Sequence, residues 1–137
     1  MRKFSALLAA ALLSQAAAIP ASVAAVALQC TVHQGDRLVL YGSGDDPDVL
    51  AWDSRFRLRE YHAASFDEAE QLLPHAVVES PGTRAQVESC VPAFVQSPLF
   101  ARAEDAVGII ILSGPDRGIG KWVLGSDVRL ERVVRKK

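Results

Sequence analysis

The chain has 137 residues, with 15 basic and 16 acidic side chains and a formal net charge of −1 at neutral pH. This near balance lacks the basic excess that nucleic-acid binding requires, so nucleic acid is not an expected partner. Half of the residues are hydrophobic, and the length is sufficient for one hydrophobic core.

Residues 1–25 have the pattern of a cleaved signal peptide. Arg2 and Lys3 give a positive start, leucines among alanines form a short apolar core, and small residues follow Pro20. An uncleaved membrane anchor is the alternative, but the strongly apolar core is too short to span a bilayer. We therefore expect one exported domain over residues 26–137, periplasmic or secreted, with no stable membrane insertion. Its 13 basic and 16 acidic residues give a net charge of −3.

The mature chain contains two cysteines, Cys30 and Cys90. In an oxidising compartment, an isolated pair of this kind is usually a disulfide. The pair has no Cys-x-x-Cys spacing and no histidine at ligand spacing, which disfavours redox and metal chemistry. We predict a disulfide between them that stabilises the fold by about 4 kcal/mol through loop closure.

The first half of the mature chain predicts three strands. Loose alternation over Val26–Val32 and apolar residues over Arg37–Tyr41 favour the first two, and Gly42–Asp48 is a loop. Val49–Tyr61 alternates more clearly and predicts a third strand. Its apolar face would contain Leu50, Trp52, Phe56 and Leu58, and its polar face Asp53, Arg55, Arg57 and Arg59.

One short helix is predicted after these strands. Ser65 is suited to cap its start, and Glu68, three residues later, completes a capping box. Acidic residues in the first turns favour the helix dipole. Pro74 ends the helix after about two turns.

The second half reads as a series of strands. Ala76–Val78 is extended, and Thr83–Val91 alternates between apolar and polar residues. Val107–Leu112 and Ile119–Leu124 are joined by a glycine-containing loop and predict a β-hairpin. Val128–Val134 predicts the final strand.

Three short motifs of this half are similar to a known family. They are Pro81–Val87, Ile109–Pro115 with Gly118-Ile119-Gly120, and Trp122-Val123 with Ser126-Asp127-Val128. They resemble a strand, the closing hairpin, the one-turn helix and the final strand of bacterial SH3-like (SH3b-type) domains, over about residues 74–131. The resemblance implies a small SH3-like β-barrel over residues 74–137, with residues 26–73 as an N-terminal β and helix extension. It also implies a cell-wall peptide or an envelope protein as the partner.

The motifs that would suggest catalysis or a cofactor are incomplete. Gly118-Ile119-Gly120-Lys121 lacks the first glycine and the following Ser or Thr of a phosphate loop. The three histidines are far apart in sequence, and Asp45, Asp46 and Asp48 lack the spacing of a calcium loop. We therefore expect no catalytic residue, no cofactor and no metal.

Binding residues are predicted on the segment Val49–Tyr61. If it is extended, Arg55, Arg57, Arg59 and Tyr61 share one face that suits carboxylates. An edge strand protected from aggregation by its charges is the alternative. Trp122 is expected to be half-buried, with one edge lining a groove, and the basic C-terminal tail is a further candidate.

These features together predict an exported, non-catalytic binding or assembly module of the cell envelope. The fold is expected to be mainly β, with one short helix and a small SH3-like barrel. The partner would be an envelope protein or a cell-wall peptide. A small inhibitor or immunity-type protein that acts on another exported protein is the alternative, and a small hydrolase is a third possibility.

Overall fold

The computed structural model describes residues 29–132. The predicted signal peptide, the start of the first predicted strand and residues 133–137 of the basic tail lie outside the described residues. The described chain forms seven strands and two helices. In chain order these are β1 (Arg37–Leu40), β2 (Val49–Trp52), α1 (Arg55–Ala63), α2 (Phe66–Leu72), β3 (Ala76–Glu79), β4 (Arg84–Val95), β5 (Glu104–Ile111), β6 (Gly120–Leu124) and β7 (Val128–Leu130).

The strands form a single antiparallel sheet in the order β3-β2-β6-β5-β4-β1-β7, curled into a half-barrel. The predicted fold class, mainly β in a small barrel-like sheet with a short helix, is confirmed, although the described chain has two short helices where one was predicted. The predicted hairpin is also present as β5 and β6, with Ile110 opposite Gly120. In its loop, Gly114 and Gly118 have φ of 84° and 89°, which glycine adopts at little steric cost.

Strands from the two halves of the chain alternate within this sheet. β1 lies between β4 and β7, and β2 lies between β3 and β6. The division predicted at residue 74 therefore does not correspond to a boundary in the sheet. The reason is that the backbone groups of β4 and β6 pair with strands that precede them in sequence.

Apolar side chains are buried on both faces of the sheet. Because side chains alternate along a strand, Val107 and Ile109 of β5 point to one core and Ala106 points to the other. The larger core contains mainly valine, leucine and isoleucine of the curled sheet. The smaller core forms where α1 covers the opposite face, and its fully buried centre is Trp52 with Leu58.

The segment predicted as one long strand is a strand followed by a helix. The extended conformation ends at Trp52, and α1 begins at Arg55. The side-chain oxygen of Ser54 accepts a hydrogen bond from the backbone N–H of Phe56 at 3.1 Å, which caps the new helix. The prediction of a strand over Val49–Tyr61 is therefore wrong beyond Trp52. Burial of Leu58 on the inner side of α1 and the Ser54 cap stabilise a helix here, although the alternating apolar pattern favours a strand.

Strand β4 contains a bulge that shapes the surface facing α1. Val91 pairs with Ala106 and Val95 pairs with Glu104, so three residues of β4 lie opposite Asp105 alone. Within the bulge, Ala93 has a φ of 51°, in the left-handed region that alanine rarely occupies. Its N–H donates a hydrogen bond to Oδ1 of Asp105 at 3.0 Å, which helps to hold this conformation.

The predicted disulfide is confirmed. Cys30 and Cys90 are joined, with their Cα atoms 6.4 Å apart, and the bond ties the start of the described chain to β4. The strand predicted over Val26–Val32 is not formed in its described part, 29–32, although Val32 is buried. No helix among residues 29–132 is long and apolar enough to cross a membrane.

The disulfide should account for a large part of the stability of the fold. It closes a loop with a sequence separation of 60 residues, for which the chain-entropy model gives about 4 kcal/mol. We expect Cys30→Ser/Cys90→Ser to lower the free energy of unfolding by this order, measured by urea denaturation against the oxidised protein. Thiol labelling of the unreduced protein should find no free cysteine, and two reactive thiols would contradict the assignment.

Candidate functional site

Helix α1 brings two of the predicted arginines to one surface. Arg55 and Arg59 are four residues apart on the helix, so their side chains are neighbours. Phe56 lies beside them, Phe94 comes from the bulge of β4, and Trp122 comes from β6. We call these five residues the arginine–aromatic surface.

The two guanidinium groups of this surface lie over aromatic rings. Cζ of Arg59 is 4.4 Å from the centre of the Phe94 ring and 5.4 Å from that of Phe56. Cζ of Arg55 is 5.0 Å from Phe56 and 5.7 Å from both Phe94 and Trp122. The Phe56 and Phe94 rings meet edge to face at 5.7 Å. These distances are in the range of cation–π attraction, which holds the positive charges in place.

Neither of these two arginines is neutralised by an acidic side chain. Within residues 29–132, no carboxylate lies within 4.0 Å of the Arg55 or Arg59 guanidinium group. Beside them runs a groove with a volume of about 690 Å³. The groove is lined mainly by Phe56, Arg59, Glu60, Pro92, Ala93 and Phe94. The arrangement offers two positioned cations next to a cleft with a mixed apolar and polar lining.

The other two residues predicted for the same face lie elsewhere. Arg57 points away and pairs with Asp53, with Nη1 3.2 Å from Oδ2. Tyr61 is half-buried and packs on Trp52, with ring centres 4.8 Å apart. The predicted cluster of Arg55, Arg57, Arg59 and Tyr61 is therefore wrong as a single face. The reason is that residues two positions apart share a face on a strand but not on a helix.

Trp122 contributes to both the core and the surface. It is half-buried, lies opposite Gly108 in the sheet and packs against the core beneath α1. A Cβ atom placed on Gly108 would be 3.0 Å from Cη2 of Trp122, so the glycine leaves room for the indole ring. Its other contact, with Arg55, places it at the margin of the arginine–aromatic surface.

Two aromatic residues of the site are not identified by the alternating sequence pattern. That pattern places Phe56 on the core face of a strand, but 53% of its surface is exposed. Phe94 lies between two prolines in a stretch for which no structure was predicted. The helical spacing of Leu58 and Tyr61 after Ser54 is the signal that would have indicated a helix and placed Phe56 beside the arginines.

A buried carboxyl group lies at the far edge of the sheet. Glu79 is only 3% exposed, and its Oε1 has no hydrogen-bond partner. Burial, with the neighbouring Asp116 as a second cause, raises the pKa of Glu79 to about 7, although Lys121 acts in the opposite direction. The fold therefore favours the neutral carboxyl form at this position.

The described residues offer one group of atoms close enough to share a metal ion. This group consists of the sulfur atoms of Cys30 and Cys90 with a carboxylate oxygen of Asp105. Both sulfur atoms are already bonded to each other. They are not thiolates, which is the form that binds metals. This cluster therefore fits a structural disulfide better than a metal centre.

No protein-family model, no curated protein and no solved structure matches this chain. The geometry of the arginine–aromatic surface is therefore the principal guide to function.

Trp122 should keep its position only because residue 108 is a glycine and has no side chain. We expect Gly108→Ala to lower the free energy of unfolding by about 1–3 kcal/mol, because the new methyl group would meet the indole ring and Ser89. Gly44→Ala is a matched control, since a Cβ there meets nothing within 4 Å. Urea denaturation followed by tryptophan fluorescence measures both variants. Equal stability of the two would contradict this packing.

Glu79 should make stability depend on pH. Its pKa is raised from 4.5 to about 7 in the fold, so its stabilising contribution is complete below pH 4.5 and is lost as the pH rises to about 7. We expect Glu79→Gln, which stays neutral, to remove this part of the decline, as measured by thermal unfolding between these pH values. Exposed Glu88→Gln is the control. An unchanged pH profile in Glu79→Gln would contradict the prediction.

Proposed function

We propose that this protein is an exported, non-catalytic binding or assembly module whose arginine–aromatic surface recognises a carboxylate-bearing protein or cell-wall peptide. The observation that carries the proposal is the position of the Arg55 and Arg59 guanidinium groups over aromatic rings, without an acidic partner in the described chain.

The two positioned guanidinium groups favour recognition of carboxylates. The fork of N–H donors on a guanidinium group matches a carboxylate, and a neighbouring aromatic ring holds the cation without neutralising its charge. Arg55 and Arg59 lie on a helix packed against the sheet. Because this packing already fixes their backbone, less conformational entropy is lost when a partner binds. A carboxylate placed between them would accept charge-assisted hydrogen bonds from both side chains.

The groove adds an apolar component to this recognition. Phe56 exposes half of its surface, and Phe94, Pro92 and Ala93 continue the lining. Aromatic and arginine side chains are typical of the residues that dominate binding energy at protein interfaces. A partner with an apolar side chain next to a carboxylate would use both features.

The compartment and the family complete the proposal. The disulfide between Cys30 and Cys90 indicates an oxidising, non-cytoplasmic environment. The signal-like residues 1–25 make the periplasm or the outside of the cell the proposed location. The motifs of residues 74–131 support an SH3-like module of the bacterial type, whose members commonly bind cell-wall peptides or envelope proteins.

His75 makes a structural contact in the described chain. It pairs with Asp53, with Nδ1 and Oδ2 3.2 Å apart. The pair fastens the end of β2 to the segment before β3.

We expect Arg55→Gln/Arg59→Gln to weaken binding by about tenfold or more, because it removes both charge-assisted donors. Arg57→Gln is the matched control, since Arg57 is paired with Asp53 outside the surface. Capture from envelope extract and co-sedimentation with purified cell wall measure binding at low and high salt. The salt dependence of the wild type should flatten in the double variant but not in the control.

The two assays also separate the partner classes. Capture of a defined protein favours an envelope protein, and co-sedimentation favours a cell-wall peptide. Wild-type binding by the double variant in both assays would contradict the proposed site. Loss of binding only on truncation after Val134 would transfer the site to the basic tail.

A further inference from the structure

We infer that a second copy of this chain docks on the arginine–aromatic surface through its helix α2, so that two copies join by reciprocal contacts. This inference names a partner for the surface proposed above and rests on that proposal. It comes from an unusual feature of α2, from the charges of the two helices and from their adjacency.

Helix α2 has no buried residue. It is seven residues long, and isolated helices of this length are not stable in water. Its inner side is held only by Ala69 and Leu72, which are half-buried, with Leu72 packed against the smaller core. In α2, Phe66 is 78% exposed, and Leu73, directly after the helix, is 40% exposed. Phe66 is therefore largely uncovered in the described single chain, and Leu73 is covered only in part.

The charges of α2 complement those of α1. Asp67, Glu68 and Glu70 are exposed, and no basic side chain of residues 29–132 lies within 4.0 Å of their carboxylates. By helical geometry, Asp67 and Glu70 are three residues apart and so lie on one side of α2, with Phe66 next to Glu70. That side offers two carboxylates and an aromatic ring. The arginine–aromatic surface offers two guanidinium groups and a groove that is partly apolar.

The chemistry of the two faces matches group by group. Asp67 and Glu70 would accept hydrogen bonds from Arg55 and Arg59, whose guanidinium groups pair with no carboxylate of residues 29–132. Phe66 would enter the groove beside Phe94. Three features that lack a partner within the described chain would be satisfied together: the two cations, the acidic pair and the exposed ring.

Adjacency of the helices allows this contact to be reciprocal. α1 and α2 are joined by Ala64 and Ser65 alone and contact each other. Each copy therefore presents the basic face and the acidic face close together. If each copy places its α2 on the other's α1, the two contacts are related by a twofold axis, and the assembly closes at two copies.

Light scattering coupled to size exclusion tests the inference on purified, disulfide-bonded protein over a range of concentrations. We expect a concentration-dependent dimer that high salt weakens. Arg55→Glu/Arg59→Glu makes both faces acidic, and Asp67→Arg/Glu70→Arg makes both faces basic. Each variant alone should self-associate about tenfold less than the wild type, because like charges would meet at both contacts.

A mixture of the two charge-reversed variants gives the decisive result. Both contacts then pair opposite charges, so the mixture should form a one-to-one heterodimer. Glu68→Arg changes a charge of α2 outside the side formed by Asp67 and Glu70, so as a control it should dimerise like the wild type. Phe66→Ser, which leaves the charges unchanged, should weaken the wild-type dimer. Thermal unfolding of each variant shows whether it is folded.

Three results would overturn the inference: a monomer at every concentration, a wild-type dimer in Arg55→Glu/Arg59→Glu, or assemblies larger than two copies. The proposed function is tested separately. If the protein stays monomeric while Arg55→Gln/Arg59→Gln loses capture from envelope extract, the self-association is wrong and the binding surface stands. If all variants bind that extract equally, the binding surface itself is wrong.

Discussion

Packing of α1 over Trp52 is the contact on which the rest of the structure depends. Trp52 is fully buried, with Leu58 and Tyr61 of α1 against it and Trp122 opposite it in the neighbouring strand. Burial of side chains of this size contributes several times the stabilisation of a single hydrogen bond. It keeps α1 on the face of the sheet that the curled core does not use. The same packing fixes which side of α1 points outward and so which arginines can share a surface.

The bulge of β4 supplies the other half of that surface. A regular strand would continue its pairing through residues 92–94. The register shift instead leaves Pro92, Ala93 and Phe94 opposite Asp105 alone. The hydrogen bond from Ala93 to Asp105 holds the irregular segment itself, and the disulfide at Cys90 holds the strand just before it. Phe94 is therefore presented to the arginines from a supported position, as a binding site requires.

For binding, the positions of the charged side chains matter more than the net charge of the chain. The full chain is nearly neutral, but α1 carries two cations that pair with no carboxylate of residues 29–132, and α2 carries several exposed acidic side chains. Arg57 shows the contrast within one helix, since its pairing with Asp53 makes it a structural arginine. Arg55 and Arg59 are held by aromatic rings, which position a cation without neutralising it. A charge kept in this way is available to another molecule.

The sequence by itself determined the elements whose signals are local. Short β-branched runs between glycines and prolines predict the β5–β6 hairpin, the cysteine pair in a signal-like context predicts the disulfide, and Ser65 and Pro74 mark the limits of α2. The capping box predicted at Ser65 is not formed, since its side chain makes no capping hydrogen bond. The other features follow from turn chemistry, helix termination or loop closure, which depend on residues close in sequence or on one covalent bond. The mainly β class follows from the same signals.

Only the tertiary structure determines which residues share the arginine–aromatic surface. Val49–Tyr61 fits a strand by alternation and a helix by its Ser54 cap, and the choice depends on whether Leu58 has a surface beneath it. That surface is built by strands distant in sequence, β2, β5 and β6. The position of Phe94 likewise depends on pairing between β4 and β5, which a local pattern does not specify. The sequence therefore contained the arginines, but their partners and their common face exist only because long-range packing buries Trp52 under α1.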